Sequence, residues 1–308
     1  MNNHSNHWLH RFACLLGFAT FILIVAGASV TSHRAGLSVP DWPTTYGSFM
    51  FSFPMSKWVG NILYEHGHRL IASIVGMLTV VLAVWVVCKE PRRWVRRLGI
   101  AALAVVIAQG ILGGLTVVLM LPPPISIAHA SLAEAFFCIT VALAVVTSAR
   151  WMHASPAIGM ANARLIQRFA LASTVAIYGQ IILGAAIRHS ESGVLAHIVG
   201  AVVVFGCVTA SAVMILFTVK QKEFLRHAVL LLGLVAAQIV LGMVTLLVRV
   251  PKNVDGLLTP TQILVPTLHL ALGALILATS LVITLKTYRF LASPSEETAL
   301  PFVAGALS

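Results

Sequence analysis

Long apolar stretches, separated by short polar segments, run through almost the whole chain. A helix needs about 20 mostly apolar residues to cross the hydrocarbon core of a bilayer, and eight stretches meet that length. They are residues 12–32, 65–88, 98–120, 126–148, 166–187, 193–219, 227–249 and 264–287. The pattern predicts an all-α membrane protein with eight transmembrane helices.

Composition agrees with a lipid environment. Of 308 residues, 59% are apolar and 9% are charged, and the mean hydropathy is +0.96, which leaves too little polar surface for a soluble domain of this size. The net charge of +11 comes from basic residues that collect in alternate connections. These residues are Arg11, Lys89, Arg92, Arg93, Arg96, Arg97, Arg150, Arg164, Arg168, Lys220, Lys222, Arg226, Lys286 and Arg289.

Because basic residues are retained on the cytoplasmic side, this distribution predicts that both termini lie inside the cell. Residues 1–11 and 289–308 are then cytoplasmic tails. The charge reflects topology, so a nucleic-acid partner is not expected. The four cysteines fall in or at the ends of the apolar stretches, which is typical of free thiols rather than of a disulfide framework.

The chain contains an internal repeat. The segment from Gln109 to Thr116 resembles the segment from Gln238 to Thr245, at an offset of 129, and the same offset carries His68 onto His197. The repeat predicts two parallel four-helix-bundle halves, 12–148 and 166–288, joined by a cytoplasmic linker at 149–165. The small residues in these segments also suit close helix packing.

Four histidines share one depth in the predicted membrane. His68, His129, His197 and His269 each precede the inner end of a predicted helix by about 18 to 22 residues, or about 30 Å. A single such histidine is commonly a packed, hydrogen-bonded side chain, but four at one level indicate function. Two histidines on different helices of a bundle can bind one haem iron from both faces.

Two other metal sites compete with haem for these residues. A zinc site favours short ligand spacings, and none is present. A di-iron site would use the Glu-x-x-His pattern of Glu65 and His68, but the second half has no acidic residue beside its histidines. Haem explains the spacing best.

Further residues suit a haem pocket. Arg69 and Arg188 are candidates for binding a propionate, or for ordinary anchoring at the interface. Gln109 and Gln238 are further pocket candidates. A flat macrocycle could also lie against four glycines, Gly113, Gly114, Gly184 and Gly242.

Glu65 distinguishes the two halves, because the matching position in the second half is Val194. The carboxylate lies one helical turn from His68, on the same face. The first half is therefore expected to perform a reaction, and the second to carry electrons. A solvated carboxylate at the mouth of the helix is the alternative.

An ordered set of motifs resembles the haem A synthase family over residues 12 to 288. They are the segment Gly36 to Pro43, Glu65-x-x-His68-Arg69, the segment Gln109 to Val117, His129, Gln180-x-x-Leu183-Gly184, Arg188-His189, His197, Gln238-x-x-Leu241-Gly242 and Thr267-Leu268-His269.

The resemblance implies that the protein oxidises the C8 methyl group of haem O to the formyl group of haem A. It implies that His68 and His129 hold the substrate haem, that His197 and His269 hold haem b, and that Glu65 is catalytic. It also implies a bacterial cytoplasmic membrane, haem O supplied by a haem O synthase, a quinone or other electron acceptor, and a role in terminal oxidase assembly. The first outer loop lacks the cysteine pair of some members, so no thiol step is expected.

Three more residues are candidates: His66 as a spare ligand, Glu134 as a second intramembrane carboxylate, and Asp41 in the first outer loop. An iron bound by two histidines has no open position for oxygen, so either one ligand leaves or the product oxygen comes from water. Two other functions stay open: an electron-transfer cytochrome b, and a transporter built on repeats, which would bind no haem.

Overall fold

The computed structural model describes residues 6–153, 158–248 and 258–293, and it contains eight helices long and apolar enough to cross a membrane. We label them α1 to α8 in chain order. They are His7–Ser32, Asn61–Lys89, Arg93–Val118, Pro123–Val146, Ala163–Ser190, Val194–Thr218, Lys222–Val248 and Pro260–Phe290. The prediction of an all-α, eight-helix membrane protein is confirmed. Several helices begin a few residues earlier than the apolar pattern indicates.

Local sequence sets where several helices begin and end. The Asn6 side chain accepts a hydrogen bond from the Leu9 amide and caps α1. Thr259 and Gln262 form a reciprocal capping box at the start of α8. Between α5 and α6, positive φ angles at Glu191 and Gly193 form a short turn that leaves the two helices side by side.

The helices pack in two groups of four. In the first group, α1 contacts α2 and α4, and α3 contacts the same two helices; α5 to α8 repeat this arrangement. The groups, which we call the first and second bundles, meet where α1 packs on α8 and where α4 packs on α5 and α8. Their interpretation as duplicated, parallel repeats stays a prediction, as do the domain boundaries.

The exposed surface of the helices is strongly apolar. Each bundle has its own buried apolar core, and a smaller buried cluster of Ile24, Phe137 and Ala274 lies where they meet. Outside these cores, large side chains such as Phe217, at 85% exposed, face outwards. Lipid is the environment that stabilises such a surface.

The two ends of the molecule differ. We call the end at which α1 begins and α8 ends the termini side, and the opposite end the loop side. On the termini side, Ile158–Gly159 pairs in parallel with Leu291–Ala292. On the loop side, the connection from residue 33 to 60, here called loop 33–60, contains two short 3-10 turns, Met50–Ser52 and Met55–Lys57. The outermost residues of both predicted tails, and Arg249 and Lys252, lie outside the described residues.

Candidate haem-binding site

Four histidines lie at nearly one level near the loop side. His68, His197 and His269 each precede the last residue of their helix by 21 positions, and His129 precedes Val146 by 17. At 1.5 Å per residue these separations are about 26 to 32 Å. His68 and His129 lie on α2 and α4, which are diagonally opposite in the first bundle. His197 and His269 lie on α6 and α8, which are diagonally opposite in the second.

Each of these imidazoles lies against a glycine of the preceding helix. A methyl group on that glycine would lie 3.0 to 3.3 Å from the histidine Cε1 atom, closer than ordinary contact. The pairs are Gly27 with His68, Gly113 with His129, Gly184 with His197 and Gly242 with His269. We expected a macrocycle to lie against three of these glycines, but the imidazole rings occupy that space. Gly114 was also expected to face the macrocycle, and the space beside it is occupied by the Trp42 ring.

Glutamine side chains position three of the histidines. In each case the glutamine Nε2 atom donates to the histidine's backbone carbonyl, and the glutamine lies four residues before the glycine just described. The bonds are Gln109 to His129 at 3.0 Å, Gln180 to His197 at 2.7 Å and Gln238 to His269 at 3.0 Å. Gln109 and Gln238 therefore bind backbone instead of a propionate. Gln180 was missed as a site residue, although the repeated Gln-x-x-Leu-Gly pattern contains it.

The fourth histidine lacks this bond, because the position four residues before Gly27 is Leu23. His68 is thus positioned by Gly27 and by contact of its ring with the Leu23 backbone, without a glutamine side chain on α1. A glutamine side chain therefore bonds to one histidine in the first bundle and to both histidines in the second.

The second pair has the spacing of two ligands on one metal ion. The ring centres of His197 and His269 are 6.3 Å apart, and the ring planes are inclined by 65°. Two imidazoles with metal–nitrogen bonds of about 2 Å and a nitrogen-to-centre distance of about 1.1 Å would have ring centres about 6 Å apart. The distance between the ring centres therefore matches that of two imidazoles on one iron.

The donor set fits haem better than a bare metal ion. The Nδ1 atoms of His68, His129, His197 and His269 are buried and have no hydrogen-bond partner among the described residues. Nowhere among the described residues do three or more histidines, cysteines and carboxylates form a group that could hold a metal ion. Two histidines alone leave a metal ion with too few ligands, whereas porphyrin supplies four more.

Glu65 and Arg69 bind loop 33–60. The Glu65 Oε1 atom pairs with Arg69 Nη2 at 2.7 Å, and Oε2 accepts from the Val39 amide at 2.8 Å. Arg69 also donates to the carbonyl oxygens of Val39, Asp41 and Thr44. Its donors are engaged by this loop, so the structure does not support Arg69 as a propionate ligand. Glu65 is only 3% exposed, so the alternative of a solvated carboxylate is wrong.

His66 faces loop 33–60 and not the bundle interior. Its ring packs against Phe53 and Trp58, and its Nδ1 atom is 3.2 Å from the Thr45 hydroxyl. His66 is fully buried in this contact. It therefore belongs to the loop's packing, and it has no place in either diagonal pair.

Asp41 organises the turn that follows it. Its carboxylate accepts hydrogen bonds from the Thr44 hydroxyl and from the amides of Tyr46 and Gly47. Burial acts to raise the pKa of Asp41, but these hydrogen bonds outweigh it and lower the pKa to about 2. Asp41 is a structural residue of the loop in this arrangement.

Arg188 links the two bundles. Its Nη2 atom donates to the Ala28 carbonyl and to the Ser32 hydroxyl, both at 2.6 Å. Ser32 in turn contacts the Thr267 hydroxyl at 2.8 Å. The Arg188 Nε atom is buried and has no partner in the part of the chain that the structure describes, so it is a donor without an acceptor there, two residues from the end of α5.

Glu134 lies in α4, which packs against the second bundle. It is 3% exposed, and its Oε2 atom has no partner among the described residues. It interacts electrostatically with Cys138 on α4 and with Tyr178 on α5. Tyr178 donates across the interface to the Ser131 carbonyl at 3.0 Å. Glu134 is therefore at the junction between the bundles, apart from Glu65. All four cysteines, which the described ranges include, are free thiols.

Comparison with known proteins identifies relatives. Residues 10–196 match the COX15-CtaA family, described as cytochrome oxidase assembly protein. A haem A synthase of Shewanella oneidensis is 27% identical over 195 residues, 58% of this chain and 55% of that protein. Haem A synthases of Symbiobacterium thermophilum and Shouchella clausii are 30% and 28% identical, over 45% and 60% of this chain and 44% and 60% of their own lengths.

The aligned part of the chain spans about half the length of these curated relatives. The family match covers the first bundle and α5 and stops one residue before His197, so it is shorter than the resemblance over 12 to 288. The candidate site of the second bundle is therefore supported by its own geometry, in which the glycine and glutamine contacts of the first bundle recur. Because the match includes more than half of the residues, the protein belongs to the COX15-CtaA family of cytochrome oxidase assembly proteins.

Proposed function

We propose that this protein is a haem A synthase that binds two haems and oxidises the C8 methyl group of haem O to a formyl group. The observation that carries the proposal is the set of four histidines at one level, each against a glycine and each with a ring nitrogen that no described residue binds. Membership of the COX15-CtaA family and the similarity to haem A synthases of other bacteria support the same activity.

The two bundles would hold different haems. His68 and His129 would bind the substrate, haem O, because Glu65 lies one helical turn before His68 whereas the matching position before His197 is Val194. His197 and His269 would bind haem b, which supplies one-electron transfer when bound. The spacing of these two rings supports binding of one iron between them.

Conversion of a methyl to a formyl group with oxygen from water releases four electrons and four protons: CH3 plus H2O gives CHO plus 4 H⁺ plus 4 e⁻. Two quinone molecules, each reduced to a quinol by two electrons and two protons, or another membrane acceptor would take the four electrons. Glu65 would accept a methyl proton, since a carboxylate has about four acceptor positions and the bonds from Arg69 and from the Val39 and Ser38 backbone leave one free. Arg69 would keep this carboxylate oriented. Loop 33–60 would exclude bulk water.

Cellular placement follows from the charge pattern. Both termini would face the bacterial cytoplasm, because most basic residues lie in connections on the termini side. The histidine level would then be near the outer surface of the membrane. A haem O synthase would supply the substrate, and terminal oxidase assembly would use the product.

The test of the reaction is Glu65→Gln, a change of nearly equal volume. General acid–base groups contribute about 10²- to 10⁴-fold to rates, so haem A formed from haem O should fall at least a hundredfold while bound haem is retained. Glu90→Gln is the matched control, because Glu90 is also buried and pairs with Arg92, but it lies on the termini side. The measurement is mass analysis of extracted haem. Normal haem A output from Glu65→Gln would refute the proposal.

A second candidate function is an electron-transfer cytochrome b. It is favoured by the glycine–histidine contacts, which recur at all four histidines in both bundles. Expression together with a source of haem O separates the two candidates. An electron-transfer cytochrome would return the haem O unchanged.

A further inference from the structure

A groove lies between the two bundles on the termini side, away from the histidines. Its volume is about 550 Å³, within the usual range of small-molecule pockets. The walls come from α1, α4 and α8, and they are almost entirely apolar, with Phe18, Val141, Leu275 and Val282 among the lining residues.

Charged side chains gather at the rim of this groove. Arg150 and Lys286 both form ion pairs with Glu223, and all three residues line the groove. Among the described residues that line the groove, two cations share this one carboxylate, which gives the rim a net charge of +1. Arg150 is 61% exposed, which leaves it accessible from the membrane surface.

An apolar contact closes the groove toward the histidines. Phe21 and Phe137 lie at that end, with ring centres 6.1 Å apart. They belong to the buried cluster that also contains Ile24 and Ala274. This cluster separates the groove from the level of Gly27 and His68. An isoprenoid tail of a haem bound at the histidines is therefore not the occupant that the geometry favours.

The groove has the length of one leaflet. On α1 its lining runs from His10 to Phe21, eleven residues or about 16 Å, which is about half of a 30 Å hydrocarbon core. Basic pockets between transmembrane helices are typical sites for anionic lipid headgroups. We propose that this groove binds one anionic phospholipid, with an acyl chain between the bundles and its phosphate at Arg150 and Lys286.

The test is lipid retention by the purified full-length protein. The protein is exchanged into nanodiscs of phosphatidylcholine that contain about one part in five of phosphatidylglycerol, extracted into detergent and analysed by native mass spectrometry. The wild type should keep one phosphatidylglycerol. The double variant Arg150→Gln with Lys286→Gln should keep at least fivefold less. The variant Gly17→Leu should also lose the phosphatidylglycerol, because the new side chain would extend into the groove. Gly17 lines the groove, and a Cβ atom there would meet only Thr140, at 3.9 Å.

A matched control is the double variant Arg93→Gln with Arg97→Gln. It removes the same charge on the termini side, but neither residue lines the groove, so retention should equal that of the wild type. An unchanged haem spectrum in every variant verifies folding. Equal retention of phosphatidylcholine and phosphatidylglycerol, retention unaffected by the rim and groove variants, or equal loss in the control would overturn the proposal. Finding the isoprenoid tail of a bound haem in the groove would also overturn it.

Discussion

Replacement of Gly242 by alanine tests how closely the histidines are positioned. The new Cβ atom would lie 3.1 Å from Cε1 of His269, whereas two carbon atoms favour about 3.5 to 4.0 Å. The His269 ring must therefore shift by about 0.5 Å. Binding constellations tolerate displacements of only about this size, and the ring must keep its relation to His197 to bind the same iron.

The size of the effect follows from the cost of overpacking, which is about 1 to 3 kcal/mol. Since 1.4 kcal/mol is tenfold in an equilibrium constant, haem affinity of the second bundle should fall by about 5- to 100-fold. The assay is titration of haem into the haem-depleted protein, followed by its visible spectrum.

Gly233→Ala is the matched control on the same helix, because nothing lies within 4 Å of a Cβ at that position. Both variants gain about the same helix propensity, so that contribution cancels in the comparison. We expect wild-type affinity from Gly233→Ala. Equal affinities of the two variants would refute the glycine–histidine contact as a positioning device.

Three further outcomes are expected. Gly114→Ala would place a methyl group 2.5 Å from the Trp42 ring, so loop 33–60 should become several-fold more sensitive to protease; unchanged cleavage would contradict this. Gln180→Leu removes the side-chain hydrogen bond to the part-buried His197 carbonyl, and the free energy of unfolding should fall by about 0.5 to 1.5 kcal/mol; an unchanged denaturation midpoint would argue against that bond. The folded pKa of Asp41, about 2, is below its ordinary value of 3.8, so its stabilisation is complete above about pH 4 and lost as the pH falls toward 2. Pepsin cleavage of the loop should rise over that window in the wild type but not in Asp41→Asn.

The sequence predicted the helices well, because lipid imposes a minimum apolar length on each span. It also predicted that four histidines share a level, since the offset of 129 and the helical rise together determine their depth. The Gln-x-x-Leu-Gly pattern was recognised, but its role was not. Which atom a glutamine reaches depends on the packing of adjacent helices, and an offset along the chain does not contain that information.

Contacts of loop 33–60 could not be predicted. Arg69 reaches carbonyl groups 25 to 30 positions earlier in the chain, in a segment with no regular period. For the same reason the link from Arg188 to Ser32 across the two bundles was missed, since it joins residues 156 positions apart. Both arginines carry charges that suit a propionate, and only tertiary structure shows which groups they bind.

Haem content of the purified protein tests the central claim most directly. We expect two haems per chain, measured as iron and as extracted porphyrin, from a host that makes haem O. His68→Ala and His197→Ala should each remove one of them and leave the other. A colourless, iron-free chain from such a host, or a wild type with the same haem content as both variants, would contradict the assignment of the two histidine pairs.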